Sequence, residues 1–173
     1  MAFDPFALSE RLMRMDDAAW ARHANPASVW SRFTILPLMT LAIFSRVWIG
    51  AWALIPVALV IAWTWINPRL FPPPDTTDSW AARGTFGERL FLDRARRAIP
   101  AHHLAGARIL TAISALGILP WAWGLWQLQP WAAVAGLVLI MGGKAWYFDR
   151  MVWLHQDLST EPPTSMDPSK PAP

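Results

Sequence analysis

The chain has 173 residues, room for one ordinary domain, yet 54% of them are hydrophobic and 13 are Trp, which argues against a small water-soluble globule. It has no Cys, which excludes disulfides and thiolate chemistry, Cys-based zinc sites included. The net charge of +3 comes with no RNA- or DNA-binding signature, so the expected counterpart is anionic lipid headgroups and not nucleic acid.

At the amino terminus Asp4-Pro5 supplies a cap and a first-turn Pro. Leu8, Leu12, Met15 and Ala19 then repeat at helical spacing until Asn25-Pro26. This predicts an amphipathic helix over 5–23 within an N-terminal cytoplasmic segment 1–29, lying on the membrane surface, docking a partner, or packed on the protein's own cytoplasmic face. The first apolar run begins only at residue 33, behind a polar segment, so no cleavable signal peptide is expected. The first span itself serves as the targeting signal.

Residues 33–66 and 109–143 are almost continuously apolar. As one helix the first would measure roughly 51 Å against a hydrocarbon core of about 30 Å. Each stretch must therefore fold back, and because unpaired backbone groups are costly in lipid, each half is a helix. The first break falls at Ser45-Arg46-Val47 and gives spans of 30–46 and 49–66. The second falls at Gln127-Leu128-Gln129-Pro130 and gives 108–126 and 131–150. The predicted fold is all-α: two transmembrane hairpins, 30–66 and 108–157, forming a four-helix bundle. Arg32 and Arg46 are expected near opposite surfaces, where a guanidinium can snorkel. Pro37, Pro56 and Pro120 fall inside spans, which membrane helices tolerate.

Arg placement orients the bundle. Residues 1–32 carry Arg11, Arg14, Arg22 and Arg32, and the segment 67–108 carries Arg69, Arg83, Arg89, Arg94, Arg96, Arg97 and Arg108. The hairpin tips carry only Arg46. By the positive-inside rule both termini and the central connector are cytoplasmic. Trp48, Trp52, Trp121, Trp123, Trp126 and Trp131 gather at the outer ends and Trp30, Trp63, Trp65, Trp146 and Trp153 at the inner ends, an aromatic belt at each interface. The outer cluster could instead cage a cationic ligand.

The connector 67–107 opens with Asn67-Pro68, which is expected to end the helix, and Pro72-Pro73-Pro74, read as a rigid extended exit or a Pro-rich ligand. Residues 86–98 mix Phe86, Leu90 and Phe91 with Arg89, Arg94, Arg96 and Arg97, the pattern of a basic interfacial helix. The Pro- and Ser-rich tail, 158–173, is expected to be disordered. Gly50-x-Trp52-x-Leu54-x-Pro56 recurs 74 residues later as Gly124-x-Trp126-x-Leu128-x-Pro130, either a duplicated hairpin or a chance match in a Trp- and Leu-rich chain.

Groups able to do chemistry are His23, His102, His103, His155, Lys144, Asp149, Arg150 and Asp157. No HExxH or comparable spacing exists, and two adjacent His on a regular helix are not expected to face one ion, so neither metal nor cofactor is predicted; the alternative is a mixed His/carboxylate site of His102 and His103 with Asp149 and His155 at the inner surface. The candidate cluster is His102, His103, Lys144, Asp149 and Arg150. Its alternatives are a histidine pair capping the third span, a snorkelling Lys144, and Asp149 in a structural ion pair with Arg69 or Arg108.

The runs Ser45-Arg46-Val47-Trp48-Ile49-Gly50, Asn67-Pro68-Arg69-Leu70-Phe71-Pro72, Ile99-Pro100-Ala101-His102-His103 and Asp149-Arg150-Met151-Val152-Trp153 together resemble an uncharacterised family of small, Trp-rich bacterial membrane proteins. The resemblance implies a multi-pass protein of the bacterial inner membrane and carries no activity. Three functions compete. The first is a non-catalytic accessory subunit that binds a membrane-protein partner or a second copy. The second is a small transporter or channel, although no Asp or Glu lies in a span before Asp149. The third is a membrane-surface enzyme using His102, His103 and Asp149.

Overall fold

The computed structural model describes residues 16–160, and every regular element among them is helical. Helix α1 (Asp17–His23) is capped by Asp16, whose carboxylate accepts from the Ala19 amide at 2.6 Å. Residues 1–15, which hold most of the helix expected over 5–23, lie outside the described residues, as does nearly all of the tail expected to be disordered. Asn25 ends α1 and caps α2 (Pro26–Phe33), with Pro26 in the first turn.

Among the described residues, three stretches are long and apolar enough to cross a membrane: Pro26–Leu70, Ala101–Trp126 and Pro130–Thr160. The first is broken into α2, α3 (Ile35–Phe44), the single turn α4 (Arg46–Ile49), a 3₁₀ turn at Gly50–Ala53, and α5 (Leu54–Leu70). Gly50 at φ 54° occupies the left-handed region that favours glycine, and it redirects the chain so that α5 packs on α3. Pro37 and Pro56 each take the third position of a helix, where the missing N–H has no intrahelical acceptor to lose. Among the described residues, only Pro68 and Pro120 lie in helix interiors. Pro68 does not end α5, contrary to expectation; the helix runs on to Leu70 and stops where Phe71 becomes extended ahead of Pro72.

Helix α6 (Trp80–Leu92) starts at Ser79, whose hydroxyl accepts from the Ala82 amide at 3.1 Å. It begins and ends six residues before the helix expected over 86–98, because the cap at Ser79 and the turn at Asp93–Arg97 set its limits. It does not merely rest on a lipid surface. A methyl carbon at Gly87 would lie 1.9 Å from the Met151 carbonyl oxygen and one at Gly84 would lie 2.2 Å from the Phe148 ring, so this helix is seated directly on the last one.

That last helix, α8 (Pro130–Thr160), and its partner α7 (Ala101–Trp126) are the longest elements. The turn between them has Leu128 at φ 55°. Both extend well beyond the predicted spans, since α7 starts seven residues before 108 and α8 continues ten residues past 150. Their axes approach along glycines: Gly136 against the Trp121 backbone, Gly124 against Ala133, Gly143 against Ser114 and Leu110. In lipid, where apolar contact between helices gains nothing over contact with acyl chains, such close backbone approach is a main source of association. Below this seam Phe91, Ala107, Leu110, Tyr147, Met151 and Leu154 form a core shared by α6, α7 and α8. Val29, Ala81 and Phe148 form a second core, joining α2 to the same group.

At the 74-residue offset Ile35 and Val60 lie on α3 and α5 and their matches Ile109 and Val134 on α7 and α8, but the turns differ: Gly50 itself makes the first reversal, whereas Gly124 lies inside α7 against Ala133, ahead of the second.

Candidate functional site

Two polar clusters lie at the end of the molecule that carries the α2, α6 and α8 contacts. The first grows from α2, where Ser28, Ser31 and Arg32 at positions i, i+3 and i+4 share a face. Ser28 and Asn67 are fully buried. The Ser28 hydroxyl donates to the Asn67 side-chain oxygen at 3.0 Å, and the Asn67 amide donates to the Ser31 hydroxyl at 2.7 Å, which ties α2 to α5. The Asn25 side-chain amide also donates to the Pro72 carbonyl at 3.0 Å.

Arg32 turns the other way. Its guanidinium donates to the His23 Nε2 and, at 3.0 Å, to the His23 carbonyl, while its Nε reaches the Ser28 carbonyl at 3.2 Å. Accepting from a guanidinium requires a neutral imidazole. Burial, with Arg32 and then Lys144 adding repulsion, lowers the His23 pKa to about 2. Half-buried Glu88 on α6 lies within the field of the same two cations. Burial pushes its carboxyl above the ordinary range, and Arg32 and then Lys144 partly pull it back. Lys144 itself projects from α8 with its ammonium 5.6 Å from the Phe33 ring centre. Sixteen further helical residues follow it in α8.

Asp149 takes neither Arg69 nor Arg108 as its partner. It accepts from the Trp80 indole N–H at 2.8 Å, because α6 lies across α8 at this level and interposes Trp80. Trp80 also stacks on Trp30, 5.4 Å between ring centres, and meets Phe148 at 4.8 Å. The Arg108 Nε bonds its own helix at the Leu104 carbonyl, and Arg150 lies over Trp153 at 4.7 Å. The five residues His102, His103, Lys144, Asp149 and Arg150 are therefore not one cluster.

The second cluster forms around the histidine pair. Because α7 begins at Ala101, His102 and His103 fall in its first turn, and Asp157 reaches them from the last turn of α8. His103 Nε2 is 2.8 Å from the Asp157 Oδ2, and His102 Nε2 is 3.9 Å from the same oxygen. The two rings lie 4.1 Å apart at 40°. Adjacent histidines thus do converge, contrary to the expectation, because the meeting point lies beside the helix end on a carboxylate supplied by another helix. Asp157 occupies the place expected for Asp149. His155 is turned away, with Ser159 at 3.0 Å from its Nδ1 and Phe86 6.0 Å from its ring.

At the far end, Arg46 does not simply point into headgroups. It donates to the Leu125 carbonyl and, at 2.9 Å, to the Trp126 carbonyl, the orphan acceptors at the C-terminus of α7. Trp121 is likewise turned inward, its N–H donating to the Thr40 hydroxyl at 2.9 Å. Trp48, Trp52, Trp123, Trp126 and Trp131 are exposed there, and Trp65 and Trp146 are exposed toward the other end, with Trp63 half-buried.

Sequence reading singled out neither Arg32 with Glu88 nor Asn67 with Ser28. The signal available was the Ser28-x-x-Ser31-Arg32 spacing, a polar stripe at the start of an apolar run. No curated protein and no solved structure matches this chain. Over residues 8–173 it matches the model described as a family of unknown function, DUF6653, and the chain belongs to that family.

Proposed function

We propose that the protein crosses the membrane four times, with both termini and the α6 connector in the cytoplasm, and works there as a non-catalytic subunit that binds another membrane protein through α3 and α5. The packing of α5 back onto α3 across the Gly50 turn supports two crossings in the first stretch. Arg22, Arg32, Arg83, Arg89, Arg96 and Arg97 against the single Arg46 support the orientation.

The observation that carries the partner-binding reading is uneven self-coverage. The most apolar window of Pro26–Leu70 is 11% buried by the rest of the chain, against 28% for that of Pro130–Thr160. Leu41, Leu54, Leu59 and Ile61 are left open, although polar side chains fix the pair they belong to at both ends. A rigid, uncovered helix pair is a surface for a further helix.

A photo-crosslinking residue at Leu59, in native membranes, is expected to give a discrete protein adduct, and an adduct of twice the chain's mass would make the partner a second copy. Lipid adducts alone would overturn the reading. For topology, the Cys-free chain allows Gln129→Cys and Ser79→Cys. An impermeant thiol reagent applied from outside should label the first only, and the reverse pattern would invert the orientation.

A further inference from the structure

His103 is fully buried at the start of α7, yet only one of its ring nitrogens is engaged: Nε2 faces Asp157, and Nδ1 is buried with no hydrogen-bond partner. His102 and Asp157, in contrast, have side chains 62% and 53% exposed. One donor is thus held rigidly in the core while two open onto solvent.

We propose that His102, His103 and Asp157 bind a divalent transition-metal ion of the Zn²⁺ class, with the remaining coordination position left to water. The donor set of two imidazoles and one carboxylate suits such ions and is poor for Mg²⁺ or Ca²⁺, which prefer all-oxygen sites. Ligand atoms about 2.0–2.1 Å from a tetrahedral metal lie roughly 3.3 Å from one another. The two separations from Asp157, 2.8 and 3.9 Å, bracket that edge, and the whole donor set lies within 4.8 Å, so binding draws the exposed His102 ring inward to close the set.

The framework is already rigid. Leu104, Leu110, Met151, Leu154 and Leu158, flanking the ligands on both helices, belong to one apolar core. The exposed edge of the cluster gives an ion a path in and leaves room for water, the arrangement of sites with three protein ligands and an open position. The ion would join the first turn of α7 to the last turn of α8, ends that are 54 residues apart in sequence. This inference does not depend on the partner-binding reading, since it concerns only α7 and α8.

The test uses full-length protein in detergent, purified through a tag without histidines, freed of metal by chelator and titrated with Zn²⁺ alone. The expected result is one Zn²⁺ per chain by calorimetry and elemental analysis, with intense visible absorption from four-coordinate geometry when Co²⁺ replaces it. His102→Ala and Asp157→Asn, both at exposed positions, should each weaken binding at least about tenfold while circular dichroism shows the helices intact. His155→Ala should bind as the parent does. Absence of stoichiometric Zn²⁺ binding, or equal losses in the His155 and His102 variants, would overturn the site.

Discussion

The two apolar regions of this chain solve the same problem with different chemistry. In α7 and α8 two long helices meet backbone to backbone through Gly117, Gly124, Gly136 and Gly143. Between Pro26 and Leu70 the helices are interrupted, and beside the Val29–Ala81–Phe148 core they are joined to one another and to the rest by polar ties: Asn67 with Ser28 and Ser31, Trp121 with Thr40, and Arg46 on the carbonyls of Leu125 and Trp126. A glycine seam depends on shape and is lost when volume is added. A polar tie depends on complementarity and is lost when one partner is removed. The two regions should therefore fail to different mutations.

The largest effect is expected at the seam. Gly136→Leu places side-chain atoms where a methyl carbon would already lie 2.3 Å from the Trp121 nitrogen, and because the obstacle is backbone it cannot turn aside. A loss of about 3 kcal/mol or more in a reversible unfolding titration in mixed micelles is expected. A loss below about 1 kcal/mol would mean that α7 and α8 separate easily and would erase the contrast. Gly142→Ala, on the same helix with nothing within 4 Å, is the matched control and should be neutral or slightly stabilising.

Next in size is Asn67→Ala, which strands the buried Ser28 hydroxyl and should cost about 1–3 kcal/mol. Replacing Ser28 with Ala in the same chain should recover part of that loss, because a missing pair is cheaper than a half-satisfied one. Trp121→Phe keeps most of the ring and removes the bond to Thr40. The expected cost is about 0.6 kcal/mol, the typical worth of a hydrogen bond between membrane helices.

Acidity sharpens the same comparison, since the titrating groups sit with the first region and α6. The folded pKa of His23 is lowered from 6.5 to about 2, so the unfolded chain takes up a proton that the folded one refuses. The associated stability is complete above about pH 6.5 and is lost progressively as pH falls below it. Glu88 opposes this, because its pKa is raised above the usual 4.5 and its contribution is lost as pH rises through the folded value. In a Glu88→Gln background the melting temperature should fall smoothly from pH 6.5 to 4.5, and adding His23→Gln should flatten the profile.

Much of the fold was legible because hydropathy and length alone require helices from 33–66 and 109–143, and because Arg46 and Gln127–Gln129 are the only breaks polar enough to end them. The helix limits were harder. Asn67-Pro68 reads as a stop, but Pro at this place forfeits a bond near a helix end where few remain, and the helix continues to Leu70. The fourth span was expected to end at 150, yet Met151 and Leu154 beyond it are fully buried and α8 continues to Thr160. The site was least legible, since local spacing carries no information about a ligand set split between the two ends of a helix pair. His102 and His103 were visible as candidates, whereas pairing them with Asp157 needed the register between α7 and α8, which the glycines set.

Arg46 gives the molecule an order of events. Its acceptors are made 79 and 80 residues later, which at about 5–20 residues per second of synthesis is a delay of roughly 4–16 s. Throughout that interval the guanidinium lacks these two acceptors, and with α3 crossing the membrane as proposed it would stay in water or among phosphates. Only when α7 is complete do Leu125 and Trp126 offer a better place, and the first helix pair is then latched to the second. Arg46 is in this sense a timer for assembly: it keeps the early half of the protein waiting at the surface until the late half arrives to receive it.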